Sequence, residues 1–287
     1  MPFFRLAATH SGGAGICSAP VPVNPDLMAA GRTTFACVAL LALMVVTGAR
    51  GAPHAETTQA LSIRDHRQLL HLYGSPSGVP VIVSSGDGGW IHLGPHVAEM
   101  LAQRGFFVVG FDVKAYLEDF TAEASGLRPA DVPRDYAALA AFATRSAGHT
   151  PILIGVSEGA GLSVLAAADP DTKAAYAGVI GLGLTEINEL GWRWSDSLTY
   201  LTHRVPNEPT FSAVATVSGV APLPLALVQS THDAFVPIAD TRRIFAHAGT
   251  PKELWIVDSA NHRFSDNLPT FDAKLIEAIE WIRRNQP

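Results

Sequence analysis

Residues 151–168 read PILIGVSEGAGLSVLAAA. The run begins as a short apolar strand rich in β-branched residues, turns at Gly155-Val156-Ser157-Glu158-Gly159, and continues as a helix of small residues. Gly-x-Ser-x-Gly is a weak pattern by itself. Between a strand and a small-residue helix it is specific, because the glycines let the backbone turn sharply and let the two elements approach closely. The serine hydroxyl then stands at the strand's end as a candidate nucleophile. The bland alternative is a tight strand–helix connection that happens to contain serine. Phosphate loops of the form Gly-x-x-x-x-Gly-Lys-Ser/Thr or Gly-x-Gly-x-x-Gly follow none of the strands.

The same alternation extends to both sides. VPVIVSS (79–85), FFVVGFD (106–112), YAGVIGLGL (176–184), PLALVQS (224–230) and ELWIVDS (253–259) read as buried strands, and 94–105, 129–146, 237–247 and 269–284 as helices. Strands apolar on both faces and alternating with helices predict an α/β fold, a mostly parallel sheet with helices on both faces. There is no internal repeat and no linker, so 56–287 reads as a single domain. The stretch 185–222 breaks the alternation, carries Trp192, Trp194 and Tyr200, and reads as a short lid-like insertion.

A serine hydroxyl is a poor nucleophile without a base. In folds with this elbow the order along the chain is serine, acid, histidine. Downstream of Ser157 lie His203, His232, His247 and His262. His262 sits in DSANHRF, directly after the last strand, where a side chain reaches back over the sheet edge; the other three fall in the insertion, before the acid, or inside a helix. The acid belongs after the penultimate strand, which selects Asp233 over Asp240, within a helix, and Asp258, at the end of the strand that carries the histidine loop. Such an aspartate fixes the imidazole tautomer and stabilises its cation. An Asx-turn or a helix cap is its alternative role, and capping of the final helix is that of His262.

SSGDGGW (84–90) follows the first apolar strand, and its glycines allow close backbone approach. A tetrahedral intermediate needs two or more N–H donors. One comes from the residue after the nucleophile, Glu158, and the other from this loop, at Asp87 or Gly88. The carboxylates of Asp87 and Glu158 flank the site and favour a cationic group there, with helix capping as the plainer reading. Trp90, Trp192 and Trp194 are candidates to line an apolar pocket, although large aromatics commonly serve the core.

The first fifty residues differ in kind. Residues 1–27 lack periodicity and read as an upstream extension. Arg32, the apolar run FACVALLALMVV (35–46) and the small residues Ala49 and Gly51 give 28–51 the form of a secretory signal, starting at Met28. An uncleaved anchor is the weaker alternative, since spanning takes about 20 apolar residues. Both cysteines, Cys17 and Cys37, fall in this part, so the exported chain would lack thiols, disulfides and Cys–metal sites. With 48% hydrophobic and 16% charged residues the chain can build a large core. The net charge is −6, and residues 1–51 hold three of the basic residues against one acidic, so the remainder is more acidic still. That balance, without a basic run, excludes nucleic acid as a partner. No metal or organic cofactor is needed, and no protein partner is readable.

Strand order, elbow and triad together resemble the α/β-hydrolase superfamily over about residues 60–285. SSGDGGW and LGLTEINELGWRW (182–194) further resemble the VirJ/AcvB-type bacterial virulence proteins, with matches at Asp87, Trp90, Ser157, Asp233 and His262. The resemblance implies an exported, periplasmic serine hydrolase that removes aminoacyl groups from aminoacylated phosphatidylglycerol, in peripheral contact with membrane lipid. The chain departs from that family at the elbow, where Glu158 replaces an aromatic residue, and at Lys114-Ala115-Tyr116-Leu117-Glu118, where the family carries a basic and aromatic stretch. Two alternatives stand beside it: a small-ester, thioester or peptide hydrolase with the same triad, and a non-catalytic envelope-binding protein on the same scaffold.

Overall fold

The computed structural model describes residues 56–121, 126–193 and 208–287. The expected extension and signal segment, and residues 194–207 of the expected lid with Trp194, lie outside the described residues. Among the described residues there are ten strands: β1 Thr57–Ile63, β2 His66–Tyr73, β3 Val79–Ser84, β4 Phe106–Phe111, β5 Ile152–Val156, β6 Gly178–Leu182, β7 Ile187–Glu189, β8 Thr210–Ser212, β9 Leu225–Ser230 and β10 Lys252–Val257. Eight form one sheet in the order β1-β2-β4-β3-β5-β6-β9-β10, parallel from β4 to β10, while β7 and β8 make a small antiparallel ribbon.

Among the described residues seven α-helices accompany them: α1 Leu93–Ala102, α2 Val113–Thr121, α3 Val132–Ala147, α4 Glu158–Ala168, α5 Ala213–Thr216, α6 Ile238–His247 and α7 Leu268–Arg284. Two apolar clusters cover the sheet. One joins α1 and α7 to one face; the other joins α2 to α6 to the opposite face. This is why every residue of β5, β6 and β9 is buried and why those strands read as continuous apolar runs. Helix α7 shows how the layers hold. Phe271, Leu275, Ala278, Ile279 and Ile282 recur on one stripe and are fully buried. At about 1.5–3 kcal/mol per large side chain, that stripe outweighs the marginal stability of an isolated helix.

The chain leaves β3 through α1 on one face and leaves β5 through α4 on the other, although β3 and β5 are adjacent. The two connections diverge at the carboxyl ends of neighbouring strands, so a crevice opens there, where ligands of such sheets bind. The glycine-rich loop and the serine turn are the two lips of that crevice.

The hairpin β1–β2 was not expected. It pairs antiparallel through Ile63↔His66 and attaches to β4 through Leu70↔Phe111. Its turn is made by Arg64 and Asp65, both at positive φ (47° and 69°), positions where glycine or asparagine is usual. Arg64 is held there by Asp135 on α3, through Nε at 3.0 Å and Nη2 at 2.8 Å, and Tyr116 donates to the same carboxylate at 2.6 Å. Asp135 is only 2% exposed, and burial raises its pKa despite Tyr116 and Arg64. Arg64→Ala would leave that carboxyl buried with its charge partner gone. A loss of about 2–3 kcal/mol is expected in denaturant unfolding; a change below about 0.5 kcal/mol would mean the hairpin is not docked through this pair.

Candidate active site

Ser157 occupies the turn between β5 and α4 at φ 52° and ψ −117°. A side chain there is strained by about 1–3 kcal/mol, so the surroundings must enforce the conformation. Gly155 and Gly159 do so by their missing side chains. A Cβ on Gly155 would stand 2.2 Å from the Gly159 carbonyl oxygen, and one on Gly159 2.3 Å from that of Ser85. Further along α4, a Cβ on Gly161 would collide with the buried Asn188 of β7. The small-residue helix is therefore pressed against strand, loop and ribbon at once.

His262 and Asp233 meet at the same sheet edge. His262 Nδ1 lies 2.5 Å from Asp233 Oδ2. The Asp233 carboxyl is pushed up by burial but pulled down more strongly by His262 and by the N–H groups of Val236 and Phe235, so its pKa ends below the usual range. A carboxylate only accepts, so Nδ1 carries the proton and Nε2 is left as the acceptor that a general base requires. Asp233 also fills the role of a turn-forming aspartate: Oδ1 accepts from Phe235 N and Val236 N at 2.8 and 2.9 Å. One oxygen builds the loop and the other aims the histidine.

The imidazole lies over Gly183, where a Cβ would stand 2.5 Å from His262 Cε1. Gly183 follows Leu182, whose carbonyl accepts the Ser157 N–H at 2.9 Å, which places the ring beside the nucleophile's strand. The histidine loop is tied down by Asp266, which accepts from Ser259 Oγ at 2.6 Å and Ala260 N at 2.9 Å, and by the buried Phe264 stacked on Phe271. The rival residues are engaged elsewhere: Asp258 accepts from Thr231, Asp240 pairs with Arg243, and His247 bonds the Arg243 carbonyl. His203 lies outside the described residues.

In the glycine-rich loop, Ser85 anchors the backbone to β4 and α2: its N–H donates to Phe111 O and its Oγ accepts the Val113 N–H, both at 3.0 Å. Gly86 faces the nucleophile, its absent Cβ 3.4 Å from Ser157 Cβ. A tight turn follows, closed by Gly89 N–H donating to Gly86 O at 3.0 Å. That bond uses the fourth residue's N–H, so the turn itself does not consume the Asp87 and Gly88 amides. Gly88 is exposed with only Ile91 beside it, whereas Asp87 directly follows the contact residue.

Trp90 is placed differently from the expectation of a pocket wall. Its indole fills the space left by Gly110 and Gly94, stacks on His71 at 4.9 Å and donates to Tyr73 Oη at 3.3 Å. It thus packs the loop against β2 and β4. Trp192 is half-buried beneath the Lys114 ammonium, 4.2 Å from the ring centre. Three acidic residues that follow β4 are engaged locally: Asp112 accepts from Ala115 N, Glu118 pairs with Lys114 and Asp119 accepts from Gln68.

Four further residues belong to the site, and three of them carried no sequence signal. Gln229, fully buried on β9, donates from Nε2 to Asp233 Oδ2 at 3.1 Å and to Val236 O at 2.9 Å. Phe235, 61% exposed, meets the His262 ring edge-on at 5.7 Å. Gly183 and the β7 carboxylate Glu189 complete the set. Gly183 alone had a legible cue, the glycine ending an apolar run.

Glu158 is strongly shifted. Its carboxyl end lies under protein although the residue as a whole is half-buried. Burial raises its pKa most, the charges of Asp87 and Glu189 raise it further, and bonds from Ser157 and from its own backbone N–H act against them, leaving it at about 8. A folded-state value above the unfolded one means that the folded chain keeps a proton the unfolded chain loses. Stability is then greatest below about 4.5 and declines as pH rises towards about 8. Glu158→Gln is therefore expected to gain stability relative to the parent across that window and to hold a constant gain above it. A gain independent of pH in denaturant titrations would count against this reading.

Among the described residues no cluster of His, Cys, Asp and Glu is arranged to hold a metal ion, and no helix is long and apolar enough to cross a membrane.

Comparison with solved structures decides the fold. The α/β hydrolase GrgF from Penicillium sp. sh18 superposes with a TM-score of 0.59 at 14% identity, over 81% of this chain and 99% of that one. A dienelactone hydrolase from Anabaena variabilis ATCC 29413 gives 0.57 at 17% identity, over 82% and 100%. The chain has the α/β-hydrolase fold. A membrane phospholipase A described as a bacterial virulence factor also matches, with a TM-score of 0.57 at 11% identity, over 79% of this chain and 87% of that one. Residues 79–190 match the family described as bacterial virulence protein (VirJ). The chain thus resembles VirJ over the span that holds the glycine-rich loop and the serine turn, whereas Asp233 and His262 lie beyond it. No curated protein matches the chain.

Proposed function

We propose that this α/β-hydrolase is an exported serine hydrolase that cleaves an ester through an acyl-enzyme, with an aminoacyl ester of phosphatidylglycerol as its substrate. The observation that carries the reading is the Asp233–His262 pair lying over Gly183, beside a strained Ser157. Ser157 attacks the ester carbonyl, His262 takes its proton and returns it to the leaving alcohol, and Asp233 orients the imidazole. The Glu158 and Asp87 amides receive the oxyanion, and water then releases the acid by the same steps.

Two features support the substrate class. The carboxyls of Asp87 and Glu189, whose charges act on Glu158, favour a cationic group such as the free amine of an aminoacyl ester. The exposed Phe235 ring gives the mouth an apolar wall. Export, and the periplasm as destination, rest on the form of residues 28–51 and on the VirJ resemblance.

The test is to label the protein with an uncharged fluorophosphonate, then to offer aminoacyl-phosphatidylglycerol beside its N-acetylated form and a simple ester. Labelling with preference for the charged amine supports the whole reading. Labelling with equal turnover of both forms keeps the serine hydrolase and removes the aminoacyl specificity, leaving a small-ester, thioester or peptide hydrolase. A folded protein that takes no label points instead to a binding role on this scaffold.

A further inference from the structure

The Ser157 hydroxyl has two candidate acceptors for its proton, Glu158 and His262, and it is bonded to the first. Oγ donates to Glu158 Oε2 at 2.9 Å, and among the described residues no hydrogen bond joins it to His262. The residue's own backbone N–H, the amide to which the oxyanion role falls, also acts on the carboxyl and favours its charged form. We propose that Glu158 is a further catalytic residue: its carboxyl competes with His262 for the Ser157 hydroxyl, the carboxylate form holding the nucleophile off the base and the neutral form releasing it. The inference rests on the serine-hydrolase reading.

The competition follows from hydrogen-bond strength. A carboxylate is the stronger acceptor of an O–H, by roughly a factor of two over a neutral group, and it lies on the amide that the forming oxyanion needs. A carboxylic acid reverses both effects. Its O–H donates to a lone pair of Ser157 Oγ, so the Ser157 proton turns to His262 Nε2. On attack the Oγ–carbonyl carbon bond forms, the Ser157 proton passes to Nε2, and the carbonyl π pair moves onto oxygen. Collapse of that intermediate expels the alkoxide, which takes the proton from Nε2 and restores a neutral imidazole. Glu158 keeps its proton throughout and adds a donor beside the oxyanion; a neutral carboxyl kept as a donor by an apolar site has precedent in other enzymes.

The titratable groups that act on Glu158 are Asp87 from the loop after β3 and Glu189 on β7; His262, with Asp233 behind it, comes from the loop after β10. Asp87 and Glu189 both favour the neutral acid, as burial does. The transition sits at about 8, so at neutral pH the acid form predominates and above that value the carboxylate takes over.

The experiment follows the rate of labelling by the uncharged fluorophosphonate from about pH 6 to 10, with circular dichroism at each step. Parent and Glu158→Gln are compared, glutamine keeping the shape and an amide donor but not the titration. A Ser–His pair alone gains reactivity with pH and then levels off. The parent is expected to decline above about pH 8, by up to about tenfold per unit, and the glutamine variant to stay level. Profiles that coincide, whether level or falling, overturn the inference and leave the hydrolase reading intact. A folded parent that takes no label at any pH removes the hydrolase reading, and this inference with it.

Discussion

Replacing Ser157 by alanine is expected to abolish fluorophosphonate labelling and to lower ester turnover by about 10⁵–10⁶-fold, as loss of a triad nucleophile does elsewhere. The residual rate comes from binding and the oxyanion amides. His262→Ala is expected to cost nearly as much, and the double variant little more, because the two act as one unit. Glycine at the same position separates chemistry from fold. Ser157 is held at φ 52° and ψ −117°, where a side chain costs about 1–3 kcal/mol. Glycine relieves that strain and loses up to about 1 kcal/mol to the freedom of the unfolded chain. Ser157→Gly should thus be inactive yet more stable by about 1 kcal/mol, which for a domain of this size raises the thermal midpoint by about 2–4 °C. Calorimetry beside an esterase assay checks both halves. Labelling that survives in Ser157→Ala would place the reactive nucleophile elsewhere, and a destabilised glycine variant would mean the turn is not strained.

The central strands were legible because burial on both faces leaves no polar alternation to blur them. VPVIVS, ILIGV, GVIGL and LALVQS appear as β3, β5, β6 and β9 within a residue or two of their expected ends. The hairpin β1–β2 was not, for two physical reasons. Six of the seven β1 residues are exposed or half-exposed at the sheet edge, so the strand carries no apolar run. Its turn also lacks the glycine or asparagine that marks a hairpin, since the positive φ of Arg64 is maintained by an ion pair 71 residues away. Helix α2 is a different omission. Val113, Tyr116, Leu117 and Phe120 are spaced for one helical face and are buried, but nine residues give little more than one repeat of that pattern.

At the site, chain order was enough to nominate Ser157, Asp233 and His262, because it encodes which strand ends lie side by side. Tertiary properties were beyond its reach. Gln229 reads as one polar residue in an apolar strand, and only the fold turns its amide onto Asp233. Trp90 reads as a pocket or core aromatic, and only the absence of side chains at Gly94 and Gly110 reveals where it fits. The raised pKa of Glu158 depends on burial and on Asp87 and Glu189, carboxyls brought from other elements. A lone glutamate beside a serine gives no hint of that environment.

Asp233→Asn is expected to lower kcat by about 10⁴-fold while keeping the fold. Asparagine retains one acceptor oxygen, which can still receive the Phe235 and Val236 N–H groups that close the loop. Its amide nitrogen must then replace Oδ2, which now faces two donors, His262 Nδ1–H and Gln229 Nε2–H. Three donors cannot share that space, so the imidazole is forced to the tautomer with its proton on Nε2, and the atom that should accept from Ser157 becomes a donor. Asp233→Ala removes the loop acceptor as well, and a further loss of about 1–3 kcal/mol in stability is expected. The two variants therefore separate in unfolding while agreeing in activity. They also differ from the parent in acid: Asp233 has a lowered folded pKa, so its contribution is full above the unfolded value near 3.8 and is lost as pH falls through the folded one. Paired kcat and denaturation measurements decide the matter. An asparagine variant with more than about a tenth of the parent turnover would show that His262 is oriented by another group, because a wrong tautomer costs far more than one power of ten.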